Sequence, residues 1–384
     1  MAVHFHRNTH TGLRQRRALS QKGFELANGL AFVAADQAMH QLLAAHSVAD
    51  AQRLQVALGK IRRASGHYEA KLLAIDPHRI RSYSKRQMRR YRDNETDQPT
   101  KVAQTFFALD ADTCQPVCFL TATAAHSVAQ ATPELLEMAA SILNPQVGKT
   151  LVVADAEHFS AELLDQVHTR TDFDLLVPMP NQKPLQKQLC SIAPEQFTPH
   201  WAGYATTQVP YQFGNSNSGP YHQFVQRHGE RPQDCTFNAF LSTTNRDEVD
   251  VLTRDYPKRW HVEEFFNAHQ ALGWKRAGTM NLNIRYGQMS MALIAQAAIH
   301  QLRQRIGSPV ANWDSAHLAK SLLHGLDGDI RVTEDTIVVT YYNAPNADRL
   351  RHHYENLPQK LRSNEGIDPR IPWLYNFKLD FRFR

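Results

Sequence analysis

The run "KTLVVAD", residues 149–155, constrains this chain more than any other stretch. It is apolar without the alternation of a half-exposed strand, as expected of a strand buried on both faces. Such a strand needs a sheet with helices on either side. A second run of the same kind, "FDLLVPMP" at 173–180, follows a helical stretch that begins near Ser160. Strand, helix and buried strand in succession specify an α/β domain with a partly parallel sheet.

Around this centre the period changes several times. Residues 20–72 read as helical, with Leu26, Leu30, Phe32 and Val33, then Leu54, Val56 and Leu58, at helix-like intervals. Residues 79–92, "RIRSYSKRQMRRYR", hold seven Lys/Arg and no acid, so Arg86, Arg89 and Arg90 are expected to meet a polyanion. From 102, "VAQTFFALDADTCQPVCFLTAT" reads as a hairpin around a polar turn. Thr132, Pro133 and Glu134 give an N-cap, a first-turn proline and an early acid, predicting a helix through about Leu143.

Residues 181–234, rich in Gln, Pro, Asn and Gly, break the rhythm and read as a β-rich or irregular insertion. "CTFNAFLSTTN" then restores a strand. Residues 285–306 predict a long helix, and 327–343 a hairpin ahead of an aromatic, basic end.

Lys plus Arg exceed Asp plus Glu by 43 to 37, a net charge of +6, which leans toward an anionic partner. Four cysteines in 384 residues do not suggest a disulfide framework. Cys114 and Cys118 lack the second ligand pair of a zinc site. The basic start has no apolar signal core, and no run is long enough to span a bilayer, so a cytoplasmic protein is expected.

The acids carry the chemistry. Asp155 sits where a buried strand emerges, a place where α/β sheets build sites. Asp110 and Asp112 share one strand face. Asp112 falls in the turn, where Asp is common. Asp110 lies within an apolar strand, where a carboxylate is costly unless paired or bound to a cation, and is the favoured candidate. In "DYPKRWHVEEFFNAHQALGW", residues 255–274, Tyr256, Arg259, Glu263 and Gln270 are spaced by three, four and seven along one helical stripe, with Trp260 expected in the core. Three converging carboxylates repel and need counter-charge, and oxygen ligands favour Mg2+ or Mn2+.

Hairpin with Asp, strand with Asp, insertion, then helix with Glu resembles the ribonuclease-H-like, DDE-type insertion-sequence transposases. "FFALDADTCQPV" looks like the first-aspartate hairpin and "LVVADAEHFSAELLDQV" like the second-aspartate strand and helix. "YPKRWHVEEFF" is similar to the Tyr-Arg-Glu-Lys signature. The resemblance implies that Asp110, Asp155 and Glu263 bind two metal ions, while Tyr256 and Arg259 contact DNA. Gln270 stands where the motif has lysine. It further implies a transposase that hydrolyses phosphodiesters and transfers strands, with double-stranded DNA (terminal inverted repeats and target) as partner, acting as a homodimer in synapsis. The rivals are a nuclease of the same fold without strand transfer and a catalytically inactive DNA-binding derivative.

The expected organisation is a helical, basic N-terminal region at 1–95 that contacts DNA. A ribonuclease-H-like mixed sheet flanked by helices follows at 100–180 and 235–306, interrupted by the insertion at 181–234. A C-terminal hairpin and tail occupy 307–384.

Overall fold

The computed structural model describes residues 21–82, 87, 89–92, 97–123, 125–214, 219–231, 234–269, 272–274, 281–322 and 326–384. Helices α1 (Gln21–Ala27), α2 (Asp36–Ala45) and α3 (Val48–Ala64) precede the first strands. These are β1 (Leu72–Arg81), β2 (Arg90–Arg92), β3 (Pro99–Asp110) and β4 (Gln115–Thr123). Then come α4 (Val128–Leu143), β5 (Thr150–Val153), α5 (Ala161–Arg170), β6 (Phe173–Pro178) and α6 (Lys183–Cys190). Strands β7 (Thr198–Trp201), β8 (Tyr204–Tyr211), β9 (Tyr221–His228) and β10 (Thr236–Ser242) lead to α7 (His261–Ala268) and α8 (Leu282–Ile306). Strands β11 (Gly328–Thr333), β12 (Thr336–Tyr341) and β13 (Lys378–Phe383) lie near the end.

Two compact units result among the described residues, one within 52–266, the other of 21–51, 267–274 and 281–384. The first is built on a ten-stranded mixed sheet. Its path is β3-β1-β5-β6-β10-β9-β8-β7, with β4 and β2 both paired to β3. β1 runs antiparallel to β3 and parallel to β5, and β5 is parallel to β6. This is the mixed, helix-flanked sheet expected from the buried runs.

The strand between β3 and β5 is β1, inside the stretch assigned above to a helical N-terminal region. That boundary is corrected: the sheet begins at Leu72, not near residue 100. Leu72 to Ile75 are buried and form the middle of the sheet. The 181–234 stretch adds β7, β8 and β9 to the same sheet beyond β10, so its described strands extend the sheet edge.

One face of the sheet packs on α4. Leu73, Ile75, Phe106 and Val117 meet Leu135, Leu136, Ala139 and Ile142 in a buried cluster. Helix α4 starts four residues before the Thr132 expected as its cap. Ser127 and Gln130 form a reciprocal capping box, and Thr132 lies inside with its hydroxyl on the Val128 carbonyl. Helix α3 approaches α4 at Gly59, where a Cβ would stand 2.7 Å from Ile142.

The second unit carries a three-stranded sheet, β11-β12-β13, with Ile337, Val339, Leu374 and Ala27 as its core. Its long helix α8 passes α2, with Gly287 against Leu43. Helix α8 groups with this second unit. No helix among the described residues is long and apolar enough to cross a membrane.

Candidate active site

The residues before α7 do not form one continuous helix. Residues Val251–Asp255 make a π-turn and Tyr256–Trp260 a 3-10 turn before His261–Ala268 becomes α-helical. Pro257 has no N–H to donate, so the ladder changes register there, and the Tyr256 N–H reaches back to the Val251 carbonyl. From Arg259 the i,i+4 spacing to Glu263 survives, with guanidinium and carboxylate 3.6 Å apart.

Helix α7 is fastened to the sheet by Phe266, which stacks on His78 of β1 at 4.2 Å and meets Phe107 of β3 edge-on at 4.6 Å. Two polar ties hold the preceding turn to the β3–β4 hairpin. Lys258 pairs with Asp112 at 2.5 Å, and His261 Nδ1 bonds the Ala111 carbonyl at 2.6 Å.

The acid brought to this place from β1 is Asp76, which the sequence reading missed. The β1–β5 register ends at the pair of Ala74 with Val153, and Asp76 and Asp155 each follow two residues beyond it, near enough to act on one another. Arg259 lies 3.5 Å from Asp76 and so stands between Asp76 and Glu263. Burial, then the nearby Asp155, push the Asp76 carboxyl up to about 7. Glu263 and Glu157 add to the rise and Arg259 opposes it. Asp155 behaves oppositely. Burial raises it, but His158, the Glu157 N–H and Arg259 outweigh that and hold it below the ordinary range. Burial, aided by Asp155 and Asp76, keeps the Tyr256 phenol protonated, against the pull of Arg259.

Asp110 is elsewhere. It pairs with Leu73, so it lies on the sheet face opposite Asp76 and three residues along. Its carboxylate accepts the Ala70 N–H at 2.8 Å, the Thr113 N–H at 2.9 Å and the Thr113 hydroxyl at 3.0 Å. It is fully buried, and burial raises its pKa against those bonds. Hydrogen bonds thus offset part of the cost of an acid in an apolar strand, so that cost by itself does not call for a cation. Beneath the hairpin, buried Arg62 bonds the Pro116 carbonyl at 2.6 Å and Gln115 at 3.0 Å.

Other expectations divide. Asp155 follows β5, and Glu263 faces Arg259. Asp112 is paired with Lys258. Arg89 and Arg90 are exposed beside the edge strand β2, whereas Arg86 and Gln270 lie outside the described residues. Trp260 is not core: it is 55% exposed, with Arg259 5.1 Å over its ring. A signal for Asp76 was present. "LLAID" repeats the pattern of "LVVAD", an apolar run closed by an aspartate.

A metal site can be tested against these residues. Among the described residues, no group of three or more His, Cys, Asp or Glu is already gathered closely enough to hold a metal ion. The donor set nevertheless fits a hard divalent cation. Asp76, Asp155 and Glu263 offer only oxygen, and the partly buried acids have one guanidinium as counter-charge.

No curated protein sequence matches the chain. Among solved structures, a piggyBac transposase synaptic complex with hairpin DNA, seen by cryo-EM, is similar at a TM-score of 0.40 and 10% identity. The match covers 62% of this chain and 50% of that one, so the chain spans half the length of the structure it resembles. Residues 67–297 match the family described as the transposase DDE domain. That span starts ahead of β1, takes in Asp76, Asp155 and Glu263, and covers more than half of the 384 residues. On that match, the chain belongs to the DDE transposase family.

Proposed function

We propose that the protein is a transposase that cuts phosphodiester bonds at the ends of an insertion sequence and joins the freed 3′-hydroxyls to target DNA. The observation that carries this reading is the approach of Asp76 and Asp155, each just beyond the last pair of neighbouring parallel strands, to Glu263 across Arg259. In this reading Asp76, Asp155 and Glu263, and not Asp110, hold two divalent cations, Mg2+ or Mn2+. Bound cations supply positive charge at the attacking and departing oxygens of a phosphoryl transfer.

The remaining groups bind and orient. Arg259, released from its two acids, is a fork for a phosphate oxygen pair. The neutral Tyr256 hydroxyl donates a hydrogen bond beside it. Lys258, through Asp112, and His261, through the Ala111 carbonyl, fix the turn that carries both. Arg89 and Arg90 on the sheet edge attract backbone phosphates without reading bases. Double-stranded DNA is the partner, as terminal inverted repeat and as target, with two copies of the chain pairing the ends.

The test is a supercoiled donor plasmid carrying the element's own ends, incubated with the purified protein, Mg2+ and a target plasmid. Excised ends with 3′-hydroxyls joined to target are expected, and EDTA should stop both steps. Cutting without joining would favour the nuclease reading, and binding without cutting the inactive one.

A further inference from the structure

We propose that His158 is a positioning residue, whose buried imidazole fixes the Asp155 carboxylate so that Oδ2 stays turned to the acid cluster. The inference rests on the reading of Asp76, Asp155 and Glu263 as the cation-holding set. His158 is 2% exposed, and its Nδ1 lies 2.7 Å from Asp155 Oδ1. The Glu157 N–H reaches the same oxygen at 3.1 Å. A carboxylate only accepts, so Nδ1 carries the proton. Two donors on Oδ1 restrict the carboxylate's rotation, and among the described residues Oδ2 receives no hydrogen bond.

Local geometry explains the pairing. Residues 156–158 form a single 3-10 turn after β5, and in such a turn side chains three apart eclipse. His158 is thereby folded back over Asp155. The middle residue of the turn is anchored as well: Glu157 takes a two-pronged bond from Arg79 of β1 at 2.8 and 2.6 Å. The strand bearing Asp76 and the turn bearing Asp155 are therefore tied directly. Capping this turn needs only the backbone bond from Glu157. An apolar side chain at 158 would be buried at lower cost than an imidazole, so the histidine is accounted for by its bond to Asp155.

The test is Mn2+ binding by the full chain without DNA, followed by electron paramagnetic resonance, with thermal melting as the folding control. His158→Phe keeps a ring but no donor, and it should weaken Mn2+ binding by about tenfold or more. His158→Asn, whose amide N–H can reach the same oxygen, should restore binding to within about threefold of wild type. Asp76→Asn separates the two levels. If Asp76→Asn binds Mn2+ like wild type, the cluster reading falls, and this inference with it. If Asp76→Asn loses binding while His158→Phe keeps it, the positioning role alone is overturned. Equal losses in the Phe and Asn variants would also overturn it, marking a requirement of shape. Should His158→Phe fail to fold, 15N-histidine spectra of the wild type decide. A hydrogen-bonded Nδ1 proton that shifts on adding Mg2+ is expected. A ring protonated only at Nε2, or a signal indifferent to Mg2+, would contradict the proposal.

Discussion

Arg259 stands 3.5 Å from the carboxylate of Asp76, across 183 residues of sequence. The guanidinium also lies 3.6 Å from Glu263, so one cation serves two acids at distances longer than a good hydrogen bond. Counter-charge at the cluster is therefore incomplete, and Asp76 is the group left most strained electrostatically.

That strain has a sign. Asp76 titrates near 7 in the fold against 3.8 ordinarily, so between those values the folded chain holds a proton that the unfolded chain has lost. Stability from this group thus falls as pH rises from about 4 to 7. Asp76→Asn should melt higher than wild type at pH 8 in EDTA, by a few kcal/mol at most, with the difference fading toward pH 4. Added Mg2+ should narrow the gap by stabilising wild type. Melting curves at both pH values check this, and an Asn variant less stable at pH 8 would contradict it.

Asp110→Asn should behave in the opposite way. An amide has one acceptor oxygen, whereas Asp110 satisfies three donors from Ala70 and Thr113. At least one buried donor then loses its partner, at a cost of about 1–3 kcal/mol. Urea unfolding should show the loss at neutral pH, while Mn2+ binding stays unchanged.

Gly59→Ala sets two effects against each other. Alanine gains about 1 kcal/mol of helix propensity. Its Cβ would sit 2.7 Å from the fully buried Ile142, and overpacking costs about 1–3 kcal/mol. Net destabilisation is expected because Ile142 has no room to retreat. Pairing it with Ile142→Val should recover part of the loss, which double-mutant unfolding would reveal.

Neutralising Arg89 and Arg90 together should weaken binding to unrelated duplexes about equally. The slope of log affinity against log salt should flatten by roughly 0.9 for each phosphate no longer neutralised. A loss confined to one sequence would mean base readout instead.

What the sequence makes legible depends on how local the cause is. The unbroken apolar run before Asp155 specifies a buried strand and its emergence without help from the rest of the chain. Glu263 and Arg259 are linked by helical spacing, which survives even though Pro257 breaks the helix before them. Asp76 is hidden because Pro77 follows it and a basic stretch follows that, a pattern that reads as linker. Yet β1 has already passed its last pair with β5, Ala74 with Val153, so on that side the proline costs no ladder bond. For Asp110 the cause is partly distant: besides the nearby Thr113 it bonds the Ala70 N–H, 40 residues away, a partner that no local pattern announces. Trp260 is misjudged because apolar character alone does not bury a side chain on a turn.

The most direct measurement compares Mg2+-dependent strand cleavage by Asp76→Asn and Asp110→Asn on a duplex carrying the element's end, each at a temperature where melting shows it folded. Asp76→Asn, like Asp155→Asn and Glu263→Gln, should lose cleavage by several orders of magnitude while still binding the duplex. Asp110→Asn should cut at a rate within a few-fold of wild type. Cleavage by Asp76→Asn together with its loss in folded Asp110→Asn would contradict the assignment and return the first carboxylate to the hairpin.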